Sequence, residues 1–167
     1  MKPKIGIILG SDSDFPTMEK GISLLEKFNI RYKVEVSSAH RTPDRTVQLI
    51  RDFEHDGIEV IIAAAGGAAH LPGVIAAHTL IPVLGVPIDS KLSGVDSLYS
   101  IVQMPGGIPV ATFGIGNSGG VNSILFAVHI LALNHPELKQ KLADFREEQK
   151  QQVAEKSQKL KNKLKTE

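Results

Sequence analysis

The sequence contains no cysteine, and this absence excludes several kinds of chemistry before any motif is considered. Disulfide bonds, thiolate metal sites and a cysteine nucleophile all require that residue. The lack of disulfides fits a cytoplasmic protein, and we expect the chain to be cytoplasmic. No phosphate loop of the form GxxxxGK[ST] occurs either, so the chain has no recognisable apparatus for nucleoside triphosphate hydrolysis.

An excess of charge and long apolar runs are also absent. The formal net charge is +1, which gives no reason to expect nucleic acid or an anionic membrane as a partner. No stretch is long and apolar enough to predict a transmembrane span, and the N-terminal apolar run Ile5–Leu9 is too short for a signal peptide. What is present is a 167-residue chain with 42% hydrophobic residues, which is enough for one domain with a sizeable core.

Short strand-like runs alternate with helix-like patterns along the chain. The strand candidates are Ile5–Leu9, Tyr32–Val36, Val60–Ala64, Pro82–Val86 and Val110–Phe113. The helix candidates are Met18–Phe28, Asp44–His55, Leu71–Thr79 and Val95–Gln103. This alternation predicts an α/β fold of three layers, α/β/α, with a central parallel sheet that is doubly wound in flavodoxin-like order. The continuous apolar character of the runs predicts strands that are buried on both faces.

The C-terminal third predicts two helices of different character. Gly120–Leu133 is apolar nearly all round, which favours packing between subunits, with complete burial inside one subunit as the alternative. Glu137–Glu167 is highly charged with a narrow apolar stripe, which predicts an exposed helix that touches a neighbouring subunit. We expect a single catalytic domain over residues 1–167, with a core of about 4–134 and a helical extension over 136–167.

Ligands of parallel sheets bind beyond the carboxyl ends of the strands, so the segments that follow the strands are the candidate site. Gly10–Asp14 follows the first strand and places the side chains of Ser11, Ser13 and Asp14 at a helix N-terminus. Together they are suited to ribose hydroxyls and a phosphate. Simple helix capping by Ser13 or Asp14 is the alternative.

The segment Ser38–Pro43 follows the second strand and is the most informative stretch of the chain. His40 brings an imidazole, the side chain most often used for proton transfer, and the adjacent Arg41 offers a planar fork that suits a phosphate or a carboxylate. The pair predicts proton transfer on an anionic substrate.

The segment Ala65–Gly73 follows the third strand and is rich in small residues. Its glycines and alanines, followed by His70 and Leu71, allow backbone amides to approach a flat ligand closely. A tight turn between a strand and a helix is the simpler alternative.

Other patterns carry less chemistry. Gly114–Gly119 has the form GxGxxG, but the helix after it leads only into another helix, so we reject a dinucleotide-binding role. His78 and His129 lie inside helical patterns and are expected to be structural, while His55 and His135 lie at a turn and a helix junction. No pair of histidines or carboxylates has the spacing of metal ligands, so we expect no metal.

The post-strand segments together resemble the class I form of the purine-pathway carboxylase family, the N5-carboxyaminoimidazole ribonucleotide mutases. The resemblance covers nearly all of Ile5 to Asn134, and its signature segments are Gly10–Asp14, Ser38–Pro43, Ala65–Gly73 and Gly94–Pro105. The sequence departs from the family at Asn117–Gly120, where members more often have a lysine and alanines. This departure concerns the start of a helix and subunit packing rather than the histidine motif.

The resemblance implies an isomerisation in which a carboxyl group moves from the exocyclic nitrogen of an aminoimidazole ribonucleotide to ring carbon C4. It implies no cofactor, a homo-octamer, and His40 as the general acid and then the general base. The loop from Gly66 to Leu71 would hold the base and retain released CO₂. The substrate-binding residues that it implies are Ser11, Ser13, Asp14, Ser38, Arg41, Gly66, Gly67, Ala68, His70 and Leu71.

Three alternatives stay open at this point. The nearest is the class II form of the same family, a carboxylase that uses free CO₂ directly, and the Ser-Ala-His-Arg-Thr-Pro motif favours the mutase over it only by resemblance. A second is a related carboxylase of nickel-pincer cofactor synthesis, which usually carries additional sequence around this domain. The third is a non-catalytic module that binds flavin or a nucleotide, which the expected sheet order alone would allow.

Overall fold

The computed structural model describes residues 4–164, in which parallel strands alternate with helices. The strands are β1 (Lys4–Leu9), β2 (Arg31–Val36), β3 (Val60–Ala65), β4 (Val83–Pro87) and β5 (Ala111–Thr112). The α-helices are α1 (Phe15–Lys27), α2 (Pro43–His55), α3 (Leu71–Ala76), α4 (Val95–Val102), α5 (Asn117–Leu131) and α6 (Pro136–Leu164), and a short 3-10 helix spans Asp12–Asp14. The N-terminal Met1–Pro3 and the last three residues of the predicted C-terminal helix, Lys165–Glu167, lie outside the described residues.

The five strands form one parallel sheet in the order β2-β1-β3-β4-β5. This is the flavodoxin-like order, so the predicted fold class is confirmed. The pairing aligns the carboxyl ends of neighbouring strands, because Leu9 lies opposite both Val36 and Ala64. The loops after β1, β2 and β3 therefore leave the sheet at the same edge.

Helices cover both faces of the sheet and complete the three layers. One hydrophobic core lies between the sheet and helices α1, α5 and α6, and a second lies between the sheet and helices α2, α3 and α4. Alternate residues of β1 serve the two cores, since Ile7 packs into the first and Ile8 into the second. Gly6 admits the ring of Phe53, because a Cβ at this position would lie 2.4 Å from that ring.

The prediction that the strands are buried on both faces is correct for β1, β3 and β4 but wrong for β2 and β5. Every residue of β2 is exposed or half-buried, with Val36 44% exposed, and β5 has only two residues where four were predicted. Both are edge strands of an open sheet. An edge strand has a strand neighbour on one side only, and the flanking helices pack mainly over the centre of the sheet.

Helix α5 begins at Asn117, ahead of the predicted start at Gly120, and two glycines explain how it packs. A Cβ on Gly119 would lie 1.6 Å from the carbonyl oxygen of Gly114, so the turn into the helix accepts no side chain there. A Cβ on Gly120 would lie 2.3 Å from the carbonyl oxygen of Thr17, where α5 crosses α1. The departure from the family pattern at Asn117–Gly120 thus falls at a close contact within one subunit.

Helix α5 is only partly buried, so the alternative of complete burial inside one subunit is wrong. Ile124, Ala127 and Val128 are fully buried against the sheet and α1. Phe126 on the opposite side is 47% exposed and contacts Phe113 edge to face, with ring centroids 5.6 Å apart. The helix therefore contributes to the core of the subunit. It leaves uncovered an apolar strip that consists of the half-buried Leu125 and the exposed Phe126.

Helix α6 is anchored to the body at its start and exposed for most of its length. Leu138 and Leu142 are buried, and Phe145 contacts Phe28 edge to face at 5.9 Å between ring centroids. From residue 146 to 164 every residue is exposed, as predicted for the extension. Within residues 4–164, no helix combines the length and the hydropathy that crossing a bilayer requires.

Candidate active site

The loops after β1, β2 and β3 enclose a cavity of about 440 Å³ at the carboxyl edge of the sheet. This is the position that the sheet order predicts for a ligand. The lining residues are Gly10, Ser11, Asp14, Ser38, Ala39, His40, Arg41, Ala65, Gly66, Ala68, Ala69, His70 and Leu71. Two residues of the predicted site, Ser13 and Gly67, do not line the cavity and instead support those that do.

The two histidines of the cavity are in direct contact. Nε2 of His40 lies 2.6 Å from Nδ1 of His70, and the rings meet edge to face with centroids 4.8 Å apart. One ring nitrogen must donate and the other accept, so the contact holds a single shared proton. Both side chains are exposed to the cavity opening. The pair can store a proton beside a bound ligand and move it between two imidazoles, which the sequence pattern did not predict.

The loop that carries His40 is folded by its own hydroxyl groups. Oγ of Ser38 accepts hydrogen bonds from the backbone N–H of Arg41 at 3.3 Å and from its Nε at 3.4 Å. Oγ1 of Thr42 accepts the backbone N–H of Ser38 at 3.1 Å. Among residues 4–164 no carboxylate forms an ion pair with Arg41, so its guanidinium can serve an anionic ligand.

The base of this loop rests on two buried hydroxyl residues that sequence analysis missed. Ser37 and Thr46 are both buried, and their hydroxyl oxygens lie 2.9 Å apart. Ser37 directly precedes the histidine motif, and Thr46 lies in α2, so the contact joins the end of β2 to the helix after the loop. Buried hydroxyls of this kind pair with one another because leaving either without a partner would be costly.

The predicted alternative of helix capping is present in Gly10–Asp14, where Ser11 caps the 3-10 helix. Asp14 occupies the N-cap position of α1, as predicted, but its side chain makes no capping hydrogen bond to that helix. Oγ of Ser11 accepts the backbone N–H of Ser13 at 3.3 Å, and the carboxylate of Asp14 accepts the backbone N–H of Ser11 at 3.0 Å. This reciprocal capping box shapes the loop. Oγ of Ser13 donates to Oγ of Ser11 at 2.8 Å, so Ser13 supports the side chain that lines the cavity.

The carboxyl group of Asp14 lies in an unusual environment for an acid. Burial raises the pKa of Asp14 above its ordinary value, and this effect outweighs the hydrogen bonds from Ser11 and Ser13, which act in the opposite direction. The charge of Asp12 also raises this pKa. Because its pKa is raised by folding, Asp14 takes up a proton more readily in the folded chain than in the unfolded chain.

We predict that Asp14→Asn alters how stability depends on pH. The native chain gains stability from protonated Asp14 at low pH, and this gain is lost as the pH rises from the unfolded value near 3.8 through the raised folded pKa. Asparagine keeps an acceptor for the N–H of Ser11 but does not titrate. We therefore compare the free energy of unfolding of the wild type with that of Asp14→Asn. The difference, wild type minus variant, should decrease as the pH rises from 3.8 through the raised pKa of Asp14. Urea unfolding at several pH values measures it, and a constant or rising difference would contradict the raised pKa.

The small-residue loop after β3 is a tight turn, as the simpler alternative predicted, and it also faces the cavity. Gly67 has a φ of +64°, a backbone conformation that favours glycine. The carbonyl oxygens of Gly67 and Ala68 accept the N–H groups of Ala69 and His70, both at 2.8 Å. These bonds turn the chain so that His70 leads into α3 and points toward His40.

The remaining histidines lie away from the cavity. A ring nitrogen of His78 bonds the carbonyl oxygen of Val74 at 2.8 Å, and one of His129 bonds that of Leu125 at 2.7 Å. Both are hydrogen-bonded, as expected, and their structural role stays a prediction. His135 lies between two glutamates at the junction of α5 and α6. Across the described part of the chain, no three His, Asp or Glu side chains come together as a metal site would require.

A family model for AIR carboxylase matches residues 4–152, which include every element of the cavity. The chain belongs to the AIR carboxylase family. The match extends from the first described strand into α6, so it includes both the sheet and the anchored start of the C-terminal helix.

Several curated relatives of this chain share a name. N5-carboxyaminoimidazole ribonucleotide mutase of Pyrococcus abyssi is 59% identical over 149 residues, which are 89% of this chain and 84% of that protein. The protein of the same name from Bacillus subtilis is 52% identical over 96% of this chain and 99% of its own length. The Escherichia coli K12 protein of that name is 54% identical over 91% and 90% of the two chains.

Solved structures of the AIR carboxylase fold agree with the architecture described above. Treponema denticola PurE superimposes with a TM-score of 0.84 over 95% of this chain and 99% of that chain, at 29% identity. The S38D variant of Treponema denticola PurE2 superimposes with a TM-score of 0.86 over 96% and 99%, at 28% identity. The fold of this chain is therefore found in experimental structures at nearly full length.

Proposed function

We propose that this protein is an N5-carboxyaminoimidazole ribonucleotide mutase, an isomerase of purine biosynthesis. It moves a carboxyl group from the exocyclic nitrogen of an aminoimidazole ribonucleotide to ring carbon C4. The observation that carries the proposal is the paired His40 and His70 beside Arg41, in a chain 52–59% identical to several relatives of that name. The reaction needs a group that gives and takes back a proton, which the histidine pair can supply. It also needs a cation that binds the substrate phosphate, which Arg41 can supply.

His40 performs both proton transfers in this proposal. In the first step it donates a proton to the exocyclic nitrogen while the N–C bond of the carbamate breaks, which releases CO₂ and leaves the neutral amine. In the second step C4 attacks CO₂, and His40 removes the C4 proton to restore the aromatic ring. One proton is given and one is taken back, so the enzyme ends as it began.

The contact with His70 prepares His40 for these two roles. Before the first step the histidine pair carries one proton more than two neutral imidazoles. His40 gives the substrate the proton on its Nδ1, and His70, whose Nδ1 lies 2.6 Å from Nε2 of His40, passes its own Nδ1 proton to that nitrogen, so both rings end neutral. In the second step the shared proton returns to its former position as His40 takes the proton from C4. His70 therefore acts on His40 as well as lining the cavity, where the resemblance implied substrate binding alone.

The loop after β3 retains CO₂ between the two steps in this proposal. Ala65, Ala69 and Leu71 are buried where they border the cavity, and none of them offers a polar side chain to water. A poorly hydrated wall keeps a small neutral molecule near C4 and limits its escape. Gly66, Gly67 and Ala68 complete this loop.

We predict that Arg41→Ala raises KM more than it lowers kcat. In the proposal Arg41 and the serines at positions 11 and 38 bind the substrate phosphate, Ser13 supports Ser11 from outside the cavity, and Asp14 binds the ribose hydroxyls. A phosphate contact is made in the ground state and the transition state alike, so its loss weakens binding by roughly 10- to 100-fold. Steady-state kinetics with the nucleotide measure this change.

The matched control for this prediction is Arg45→Ala. Arg45 lies in α2, forms an ion pair with Glu35 at 3.1 Å and does not line the cavity. Its removal should leave KM within about twofold of the wild type, because exposed ion pairs contribute little. The dephosphorylated nucleoside should be a poor substrate of the wild type. A nucleoside that reacts as well as the nucleotide would disprove the phosphate role of Arg41.

The function itself is tested by offering two substrates to the purified protein. One is the N-carboxylated ribonucleotide, and the other is the unmodified aminoimidazole ribonucleotide with bicarbonate at low, physiological concentration. The mutase forms the 4-carboxy product rapidly from the first and slowly from the second. A preference for the second substrate would support the direct carboxylase, and a coloured protein with a bound chromophore would support a flavin module.

We extend the proposal to a single catalytic domain over residues 1–167 that functions in the cytoplasm as a homo-oligomer, an octamer by family resemblance. The oligomer is supported by an uncovered apolar stripe on α4. Its residues Val95, Tyr99 and Val102 are 42%, 61% and 48% exposed. Phe126 on α5 adds to the uncovered apolar surface. Apolar stripes of this kind pack against another subunit far better than they face water.

A further inference from the structure

Helix α4 lies behind the small-residue loop and holds it through a buried serine. Ser97 is 0% exposed, and its Oγ accepts the backbone N–H of Gly67 at 2.8 Å. The two residues are 30 positions apart and lie in different elements. Ser97 does not line the cavity, so it has no direct contact with a ligand there.

Gly67, which Ser97 holds, begins the turn that leads to His70. Gly67 is in the left-handed region, and its carbonyl oxygen accepts the N–H of Ala69 at 2.8 Å. The next turn bond joins Ala68 to His70, whose ring contacts His40. A short series of bonds therefore links α4 to the histidine pair.

Helix α4 is itself fixed at the same edge of the sheet. The hydroxyl of Ser90, in the loop after β4, donates to the carboxylate of Asp96 next to Ser97. Ser100, one turn further along α4, donates to the carbonyl oxygen of Asp96 at 2.8 Å and lies 3.4 Å from the carbonyl oxygen of Gly67. The helix thus presents two hydroxyls on one face to the N–H and the C=O of a single glycine.

We infer that Ser97 is a positioning residue that keeps the Gly67 loop closed, so that CO₂ stays in the cavity and His70 stays against His40. The inference rests on the proposed mutase function. Ser97 acts at a distance from the reacting atoms, and its effect is on the fate of the intermediate rather than on substrate binding. Ser11 and Arg41, which belong to the other two loops, anchor the substrate without it.

The test replaces Ser97 by Ala and by Cys. Alanine removes the acceptor and favours the helix. Cysteine nearly keeps the size of the side chain but is a weak acceptor. Because both variants weaken the same hydrogen bond, either one can test it if the other folds poorly. We expect kcat to fall roughly 3- to 10-fold, the effect of one lost hydrogen bond, with KM within about threefold of the wild type.

The decisive measurement is the uncoupled release of CO₂. The amount of unmodified aminoimidazole ribonucleotide formed per molecule of 4-carboxy product should rise several-fold in both variants, after subtraction of the spontaneous loss without protein. Ser123→Ala is the matched control, because Ser123 is also 0% exposed on a helix and donates to Gly120 at 2.8 Å, away from the cavity. The control should show wild-type uncoupling. Folded Ser97 variants with wild-type uncoupling would overturn the inference.

Amide hydrogen exchange of the peptide that contains residues 65–71 tests the positioning without any activity. The exchange rate should rise about tenfold in Ser97→Ala and stay unchanged in Ser123→Ala, because only the first variant frees the N–H of Gly67. Unchanged exchange in both variants would overturn the inference even if the protein proves to have another activity. A wild type that forms no 4-carboxy product, with increased exchange in Ser97→Ala, would disprove the proposed function and support the loop contact.

Discussion

His40→Ala should reduce kcat by about 10²- to 10⁴-fold, the usual loss when a general acid–base is removed. KM should change little, because the proposed phosphate and ribose contacts come from other side chains. The fold should survive, since His40 is exposed and its only described side-chain partner is the ring of His70. Stopped-flow or steady-state assays with the N-carboxylated ribonucleotide, together with a thermal unfolding scan, measure both expectations.

His55→Ala is the matched control for this prediction. The side chain of His55 is 92% exposed at the end of α2 and does not line the cavity, so its loss removes an imidazole without affecting the site. Its kcat should equal that of the wild type. A folded His40→Ala protein with near-normal turnover would show that another group transfers the protons, and His70 would then be the first residue to test.

Leu125→Asp should break the proposed oligomer while leaving the subunit folded. Leu125 is half-buried in a groove of about 400 Å³ between α5 and α6, which is bordered by Phe113, Phe126 and Phe145. In a separate subunit a carboxylate at the mouth of this groove can still reach water. Covered by another subunit, it would be buried without a partner, at a cost on the order of several kcal/mol. Light scattering and circular dichroism measure assembly and folding.

Two further variants serve as controls. One tests whether the charge of the aspartate or its shape breaks the assembly, and the other shows the effect of a charge that prevents folding. Leu125→Asn has nearly the same shape as Leu125→Asp without the charge, so it should assemble better than the aspartate variant. Ile124→Asp places the charge at a position that is 0% exposed within the subunit, so it should prevent folding altogether. A wild-type protein that is monomeric and active would disprove the proposed oligomer, and the apolar strip on α5 would need another explanation.

The sequence by itself determined the fold class and which segments form the candidate site. Buried runs such as Ile5–Leu9 and Val60–Ala65 are continuous because parallel strands at the centre of a sheet are covered on both faces. Since parallel strands end at a common edge, the segments after three of them had to approach one another, and His40, Arg41 and His70 do line one cavity. These features follow from local pattern and topology, both of which the amino-acid sequence encodes.

Only the tertiary structure decided which side chains meet and which surfaces stay open. The His40 to His70 contact and the Ser97 to Gly67 contact each join residues 30 positions apart. Their geometry depends on the turn at Gly67 and on the packing of α4, which no local pattern encodes. The exposure of β2 likewise depends on its position at the sheet edge, because the same run at the centre would have been covered. Periodicity reports local conformation, whereas contact between distant residues depends on how the finished elements pack.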